Sequence, residues 1–88
     1  MSLIGSRVAR VGRLFGQWAD DVSRLARRSE RFRSLCDDYG MTVETLDILE
    51  RRNHPADAEK MIEYRVLRQR LERDLEHELL ASSGKLDD

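Results

Sequence analysis

The sequence predicts an all-α protein that folds as an antiparallel, coiled-coil-like hairpin of two helices with a long first helix. Three observations support this prediction. Charged residues make up 38% of the 88 residues and apolar residues 40%, a balance typical of exposed amphipathic helices. One proline and five glycines are too few for a turn-rich β-protein. Finally, apolar side chains recur at helical spacing along most of the chain.

The first predicted helix runs from about residue 3 to residue 52, because its apolar or small residues alternate in steps of four and three. This is the heptad spacing of a coiled-coil seam. Gly5, Gly12 and Gly16 weaken the first third of this helix. Gly40 and Thr42 offer an alternative stop and restart, but the seam continues through them in register, which favours one helix. The seam residues are Ile4, Val8, Val11, Phe15, Trp18, Val22, Leu25, Ser29, Phe32, Cys36, Tyr39, Val43 and Leu46.

A turn is predicted at residues 53–57. Asn53 can adopt the left-handed conformation at a helix end, and Pro55 suits the first turn of a new helix. The second helix should run from about residue 56 to residue 81. Its apolar stripe is Met61, Tyr64, Leu67, Leu71, Leu75 and Leu79, with Ile62, Val66 and Leu80 beside it. Six residues are expected to be buried against one another between the two helices: Leu35, Tyr39, Leu46, Leu67, Leu71 and Leu75.

Three regions follow from these elements: a basic amphipathic helical extension at 1–26, the hairpin at 27–81 and a flexible tail at 82–88. A second helix of this length reaches only the later half of the first helix. The apolar residues of the extension are therefore expected to lack a cover within the chain and to form an interaction interface. These residues are Val8, Val11, Phe15, Trp18, Val22 and Leu25.

Charge is distributed unevenly along the chain. Residues 1–33 contain eight arginines and three acidic residues, whereas residues 34–88 contain eight basic and fourteen acidic residues. Such a dipole can pair with a second copy or offer its basic end to an acidic partner. Arg7, Arg10 and Arg13 are the candidate contacts to an acidic protein or to lipid. Nucleic acid is a less favoured partner, because Asp20, Asp21 and Glu30 interrupt the arginine stripe.

The residue pattern predicts neither catalysis nor a bound cofactor or metal, since a two-helix hairpin has no pocket in which polar groups converge. Cys36 is expected to act as a small core residue, far from His54 and His77 in the chain. His54 with Asp57, or His77 with its acidic neighbours, would supply fewer ligands than a metal site needs.

The central segment resembles the YdcH-like family of small bacterial helical-hairpin proteins, a domain of unknown function similar in style to SlyX. The resemblance rests on Val22-Ser23-Arg24-Leu25, Arg31-Phe32-Arg33-Ser34-Leu35 and Asp38-Tyr39, followed by a polar turn and a second helix rich in Leu, Arg and Glu. It implies the hairpin and a bacterial cytoplasmic setting, and it supplies no activity. The chain departs from the family pattern at Glu72-Arg73-Asp74-Leu75 and in its longer, basic N-terminal extension.

Together these features predict a non-enzymatic interaction module that oligomerises, or joins a hetero-complex, through the N-terminal seam. The alternative is a peripheral membrane protein or accessory subunit anchored by the amphipathic residues 3–18, in which Phe15 and Trp18 lie at the headgroup boundary. The expected location is cytoplasmic, with a membrane-peripheral variant under the alternative. A mitochondrial transit peptide is a further interpretation of the basic, acid-free first 19 residues.

Overall fold

The all-α class is confirmed, but the predicted pair of helices is not what the computed structural model contains. The structure describes the backbone of residues 3–82 and the side chains of residues 5–82. Four α-helices lie within that range: α1 (Leu3–Leu14), α2 (Ala19–Arg28), α3 (Glu30–Arg52) and α4 (Ala58–Ser82). Short 3-10 turns at Gly16–Trp18 and Pro55–Asp57 precede α2 and α4. Of the tail predicted at 82–88, Ser82 belongs to α4 as its last residue, and residues 83–88 lie outside the described part of the chain.

The prediction of one continuous helix over residues 3–52 is wrong at two places. Phe15, with φ −109° and ψ 58°, leaves the helical conformation ahead of Gly16. Ser29 is extended and separates α2 from α3. Through Gly40 and Thr42, in contrast, α3 continues without a break, as predicted.

Ser29 compensates for the interruption that it makes. Its hydroxyl accepts a hydrogen bond from the backbone N–H of Phe32 at 3.0 Å, which caps the N-terminus of α3. The Arg33 guanidinium donates to the carbonyl of Ala26 at 2.7 Å and so satisfies an acceptor in the last turn of α2. These two bonds pair one backbone N–H and one backbone carbonyl at the helix break.

The turn between α3 and α4 follows the prediction closely. Asn53 adopts the left-handed conformation with φ 48°, and Pro55 begins the 3-10 turn. His54 accepts a hydrogen bond from the Ala56 N–H through Nδ1 at 3.1 Å. Asp57 is buried, and both of its carboxylate oxygens accept hydrogen bonds from Arg52, at 2.9 and 3.0 Å. The ion pair ties the last turn of α3 to the start of α4.

Polar contacts between α3 and α4 occur in opposite order along the two helices. Arg31 meets Glu78 at 3.2 Å, Tyr39 meets Glu72 at 2.9 Å and Glu50 meets Arg65 at 3.1 Å. Of the six residues expected to be buried between the two predicted helices, four are buried: Tyr39, Leu46, Leu71 and Leu75. Leu35 is half-buried, and Leu67 is 37% exposed because it lies at the edge of the core.

The core is shared by all four helices. Val11 of α1 and Val22, Leu25 and Ala26 of α2 belong to the same buried cluster as Phe32 of α3 and the α4 leucines. Each large apolar side chain gains roughly 1.5–3 kcal/mol on full burial, which outweighs the loss of a few helical hydrogen bonds at Phe15 and Ser29. The α4 leucines in the cluster are Leu71, Leu75 and Leu79, and its remaining members are Cys36 and Tyr39.

Candidate interaction surfaces

The N-terminal seam is largely covered by the rest of the chain, which corrects the expectation that it lacks a cover. Val11 and Val22 are fully buried, and Leu25 is buried as well. Val8 and Phe15 are half-buried and pack against the core. Trp18 is half-buried in the 3-10 turn. The physical reason is the fold-back at Phe15 and Ser29, which turns the apolar faces of α1 and α2 onto α3 and α4.

Arg7 is occupied within the chain rather than presented to a partner. Its guanidinium donates to Asp37, and to Glu44 at 3.2 Å. These two hydrogen bonds, with the Asp37 bond the stronger influence, raise the pKa of Arg7. The other two arginines expected to contact an acidic partner or lipid are Arg10, which is half-buried, and Arg13, which is exposed.

Arg7 reaches these acids by crossing directly over Gly40. A methyl group added at Gly40 would lie 2.6 Å from Cδ of Arg7 and closer still to Cγ. Glycine at this position therefore lets α1 approach α3, a role for which the sequence carried no signal beyond the glycine itself. The Nε atom of Arg7 is buried over Gly40 and has no acceptor among the described residues.

A cleft of about 510 Å³ lies where the end of α1 faces α4. Leu14 and Phe15 form its apolar side, and Leu14 is 42% exposed. The α4 side is polar, lined by Gln69, Glu72, Arg73 and Glu76. Phe15 is the residue of the predicted N-terminal interface that lines this cleft.

Large apolar side chains are also exposed on α3 and α4, where the sequence did not place an interface. Met41 and Leu67 line a smaller cleft of about 270 Å³ together with Thr45 and Tyr64. Ile62 and Val66 lie on the side of α4 that faces away from the buried leucines. The exposed large apolar residues of the described chain are Leu14, Met41, Ile48, Ile62, Val66 and Leu67.

Two titratable side chains, those of Cys36 and Tyr39, lie in the core. Cys36 is fully buried, and desolvation raises the pKa of its thiol to about 12, so it is protonated at neutral pH. The pKa of Tyr39 is raised to about 12, mainly by burial and to a smaller extent by the hydrogen bond to Glu72. Across residues 5–82, no group of three or more His, Cys, Asp or Glu side chains is arranged to hold a metal ion.

Within the part of the chain that the structure describes, no helix is both long enough and apolar enough to cross a bilayer. Comparison with known proteins adds no assignment: no family model, curated protein or solved structure matches the chain. The resemblance to the YdcH-like family has no support from these comparisons.

Proposed function

We propose that the chain is a non-enzymatic protein–protein interaction module that oligomerises or docks on a partner protein. The observation that carries the proposal is the number of large apolar side chains that remain exposed although a well-buried core is already formed. An 88-residue chain buries a smaller fraction of its surface than a large domain does, so it gains more from a partner. The placement of Ile62 and Val66 one helical turn apart on α4 gives such a partner a continuous apolar strip.

The interface proposed here differs from the N-terminal seam that the heptad spacing suggested. Val11, Val22 and Leu25 would reach a partner only if α1 and α2 left the core. Leu14, Phe15 and Trp18 keep part of their surface in solvent and stay within the proposal as a secondary contact region. In this proposal α3, the turn and α4 form an antiparallel hairpin. The hairpin carries the other exposed large apolar residues, which are Met41, Ile48, Ile62, Val66 and Leu67.

The absence of an enzymatic role is part of the same proposal. Cys36, the one thiol, is buried and protonated, which removes the nucleophile that a Cys/His mechanism needs. His54 is used as a hydrogen-bond acceptor in the turn, with its Nδ1 directed at the Ala56 N–H. A cytoplasmic setting agrees with this role.

A membrane-peripheral role is the second candidate, and one feature of the end of α1 favours it. Arg13 and Leu14 are both exposed there, next to half-buried Phe15 and Trp18. A cation beside apolar and aromatic surface is the combination that binds an anionic bilayer interface. Arg7 would contribute little to lipid binding, since Asp37 and Glu44 already neutralise it.

Sedimentation equilibrium over a wide concentration range, combined with vesicle flotation, tests the proposal. The expected result is concentration-dependent association that persists in moderate salt, with no binding to vesicles of phosphatidylcholine and phosphatidylglycerol. If the protein stays monomeric but floats with anionic vesicles, the membrane-peripheral role would replace the protein–protein interaction role. A protein that stays monomeric, binds no vesicles and shows no stoichiometric partner would overturn both.

A further inference from the structure

Helix α4 has apolar side chains on two opposite faces. Leu71, Leu75 and Leu79 form the inner face and are buried in the core. On the other side, Ile62 and Val66 are 60% and 50% exposed. A helix that covers only one side of a core needs one apolar face, so the second pair indicates a second contact.

The charges around Ile62 and Val66 follow a symmetric order. Glu59 and Glu63 precede Val66 by seven and three residues, whereas Arg70 and Arg73 follow it by four and seven residues. At 100° per residue these four side chains share one face of α4 with Ile62 and Val66, within an arc of about 100°. We call this surface, formed by Glu59, Ile62, Glu63, Val66, Arg70 and Arg73, the outer face of α4.

These four charges form no ion pairs within residues 5–82. All four residues are exposed, and none takes part in the ion pairs formed within the described region. Neighbouring Arg65, in contrast, is bound to Glu50 at 3.1 Å. The outer face thus presents an acidic half and a basic half, both available to a partner.

We propose that the outer face of α4 docks on the same face of a second copy, antiparallel, with the two-fold axis passing at Val66. This inference rests on the proposed interaction function and names its partner. Reversing the second helix places Glu59 opposite the partner's Arg73 and Glu63 next to the partner's Arg70, and symmetry repeats both pairs. A parallel arrangement would instead place acid against acid and base against base.

The apolar residues fit the same register. The two Val66 side chains meet on the axis, and each Ile62 lies opposite Arg70 of the second copy, whose methylene groups can cover it. Isologous contacts of this kind close after two copies, so the chain should form a dimer and not a filament. Exposed ion pairs each contribute little, so the apolar centre provides most of the affinity and the charges fix the direction.

A charge-exchange experiment tests the arrangement. One variant carries E59K and E63K, which makes the outer face basic; the other carries R70E and R73E, which makes it acidic. Each variant alone should dimerise at least about tenfold more weakly than the unaltered chain, and an equimolar mixture should form a heterodimer. Glu30→Lys combined with Asp47→Lys changes the net charge by the same amount as E59K with E63K, at exposed positions of α3, and is the control for net charge. If each variant dimerised as well as the unaltered chain, or if the mixture failed to associate, the proposal would be overturned.

Cysteine cross-linking tests the register in a Cys36→Ala background. Val66→Cys should form a disulfide-linked dimer, because its two copies meet on the axis. Glu59→Cys should not, since residues 59 of the two copies lie about 20 Å apart along the antiparallel pair. Cross-linking of Glu59→Cys with the same efficiency would indicate a parallel dimer and refute the inference. Circular dichroism of each variant verifies that the helices remain folded.

The outcome also separates this inference from the proposed function. A full-length dimer that is insensitive to both charge variants and to Val66→Glu would retain the interaction function but place the interface elsewhere, for example at Leu14 and Phe15. A strictly monomeric chain without any partner would remove the inference and the proposed function together.

Discussion

The two halves of the molecule use the same apolar spacing in different ways. In the C-terminal half, α3 and α4 are joined by a turn with strong local signals, Asn53 and Pro55, and each helix covers the other directly. In the N-terminal half, α1 and α2 reach the core only because the chain bends at Phe15 and Ser29. The comparison shows that a heptad pattern identifies the residues that will be buried but not which element will bury them.

The halves also differ in how they are attached. Apolar packing and the Arg52–Asp57 ion pair hold α3 to α4, and the ion pair lies at the turn itself. The attachment of α1 to α3 combines buried Val11 with the polar crossing of Arg7 over Gly40. Both attachments therefore combine apolar burial with ion pairs, and the one at α1 additionally requires glycine at residue 40.

The largest effect is expected from Phe32→Ala, which should destabilise both halves of the molecule. Phe32 is fully buried in the core shared by all four helices, so its truncation should lower the free energy of unfolding by about 3–5 kcal/mol. Urea denaturation followed by circular dichroism and by Trp18 fluorescence should give one coincident transition. Leu14→Ala, at an exposed position, should change stability by less than about 0.5 kcal/mol. Two separate transitions in the unaltered chain would indicate that the halves fold independently.

A smaller effect, confined to the C-terminal half, is expected from Asp57→Ala. The substitution leaves Arg52 without the carboxylate that accepts its two hydrogen bonds, and the loss should be about 1–3 kcal/mol. Asp47→Ala removes an exposed ion pair with Arg51 and should cost less than about 0.5 kcal/mol. Chemical denaturation of the two variants measures both values. Equal losses would mean that burial of Asp57 contributes nothing to the turn.

Much of this architecture could be predicted, and the exceptions have a physical cause. The seam residues Val11, Val22, Leu25, Phe32, Cys36, Tyr39 and Leu46 are all buried, so the spacing identified the core. The break at Ser29 was missed because serine fits a seam as a small residue and a helix N-cap equally well, and tertiary packing selects between them. The Arg7–Gly40 crossing was missed because it joins residues 33 positions apart.

The proposed interaction surface was less predictable than the core. The heptad spacing assigned it to the N-terminal seam because no cover was apparent, whereas the exposed apolar residues lie mainly on α3 and α4. Ile62 and Val66 were recognised only as neighbours of the α4 stripe. Their exposure depends on the angle at which α4 meets the core, which the residue order of α4 does not determine.

The break between α2 and α3 can be probed through Ser29→Ala. Loss of the hydroxyl that caps Phe32 should lower the free energy of unfolding by about 1 kcal/mol. Ser34→Ala, at an exposed position inside α3, is the matched control and should be neutral or slightly stabilising. If Ser29→Ala stabilised the protein as Ser34→Ala does, residue 29 would lie inside a continuous helix.

The smallest effect concerns alkaline pH and reports on core burial of Cys36. Its pKa is raised from the ordinary 9.0 to about 12 in the folded chain, so the folded state keeps a proton that the unfolded state loses. Stability should therefore fall by about 1 kcal/mol as the pH rises from 9 to 10. Tyr39 adds to the loss only above pH 10. Cys36→Ala should flatten the profile between pH 9 and 10, and an unchanged slope would contradict burial of the thiol.

The fold-back of α1 onto α3 within one chain can be tested by a nuclear Overhauser effect between Arg7 and Gly40. We expect cross-peaks from the Arg7 side-chain methylene protons to the Gly40 Hα protons, because these groups are in contact. A mixed sample of labelled and unlabelled chains must show that the cross-peaks are intramolecular. In a continuous helix the two residues would be about 50 Å apart. Absence of the cross-peaks, with uninterrupted helical connectivities through Phe15 and Ser29, would show that residues 3–52 form one helix and that α1 does not fold back onto α3.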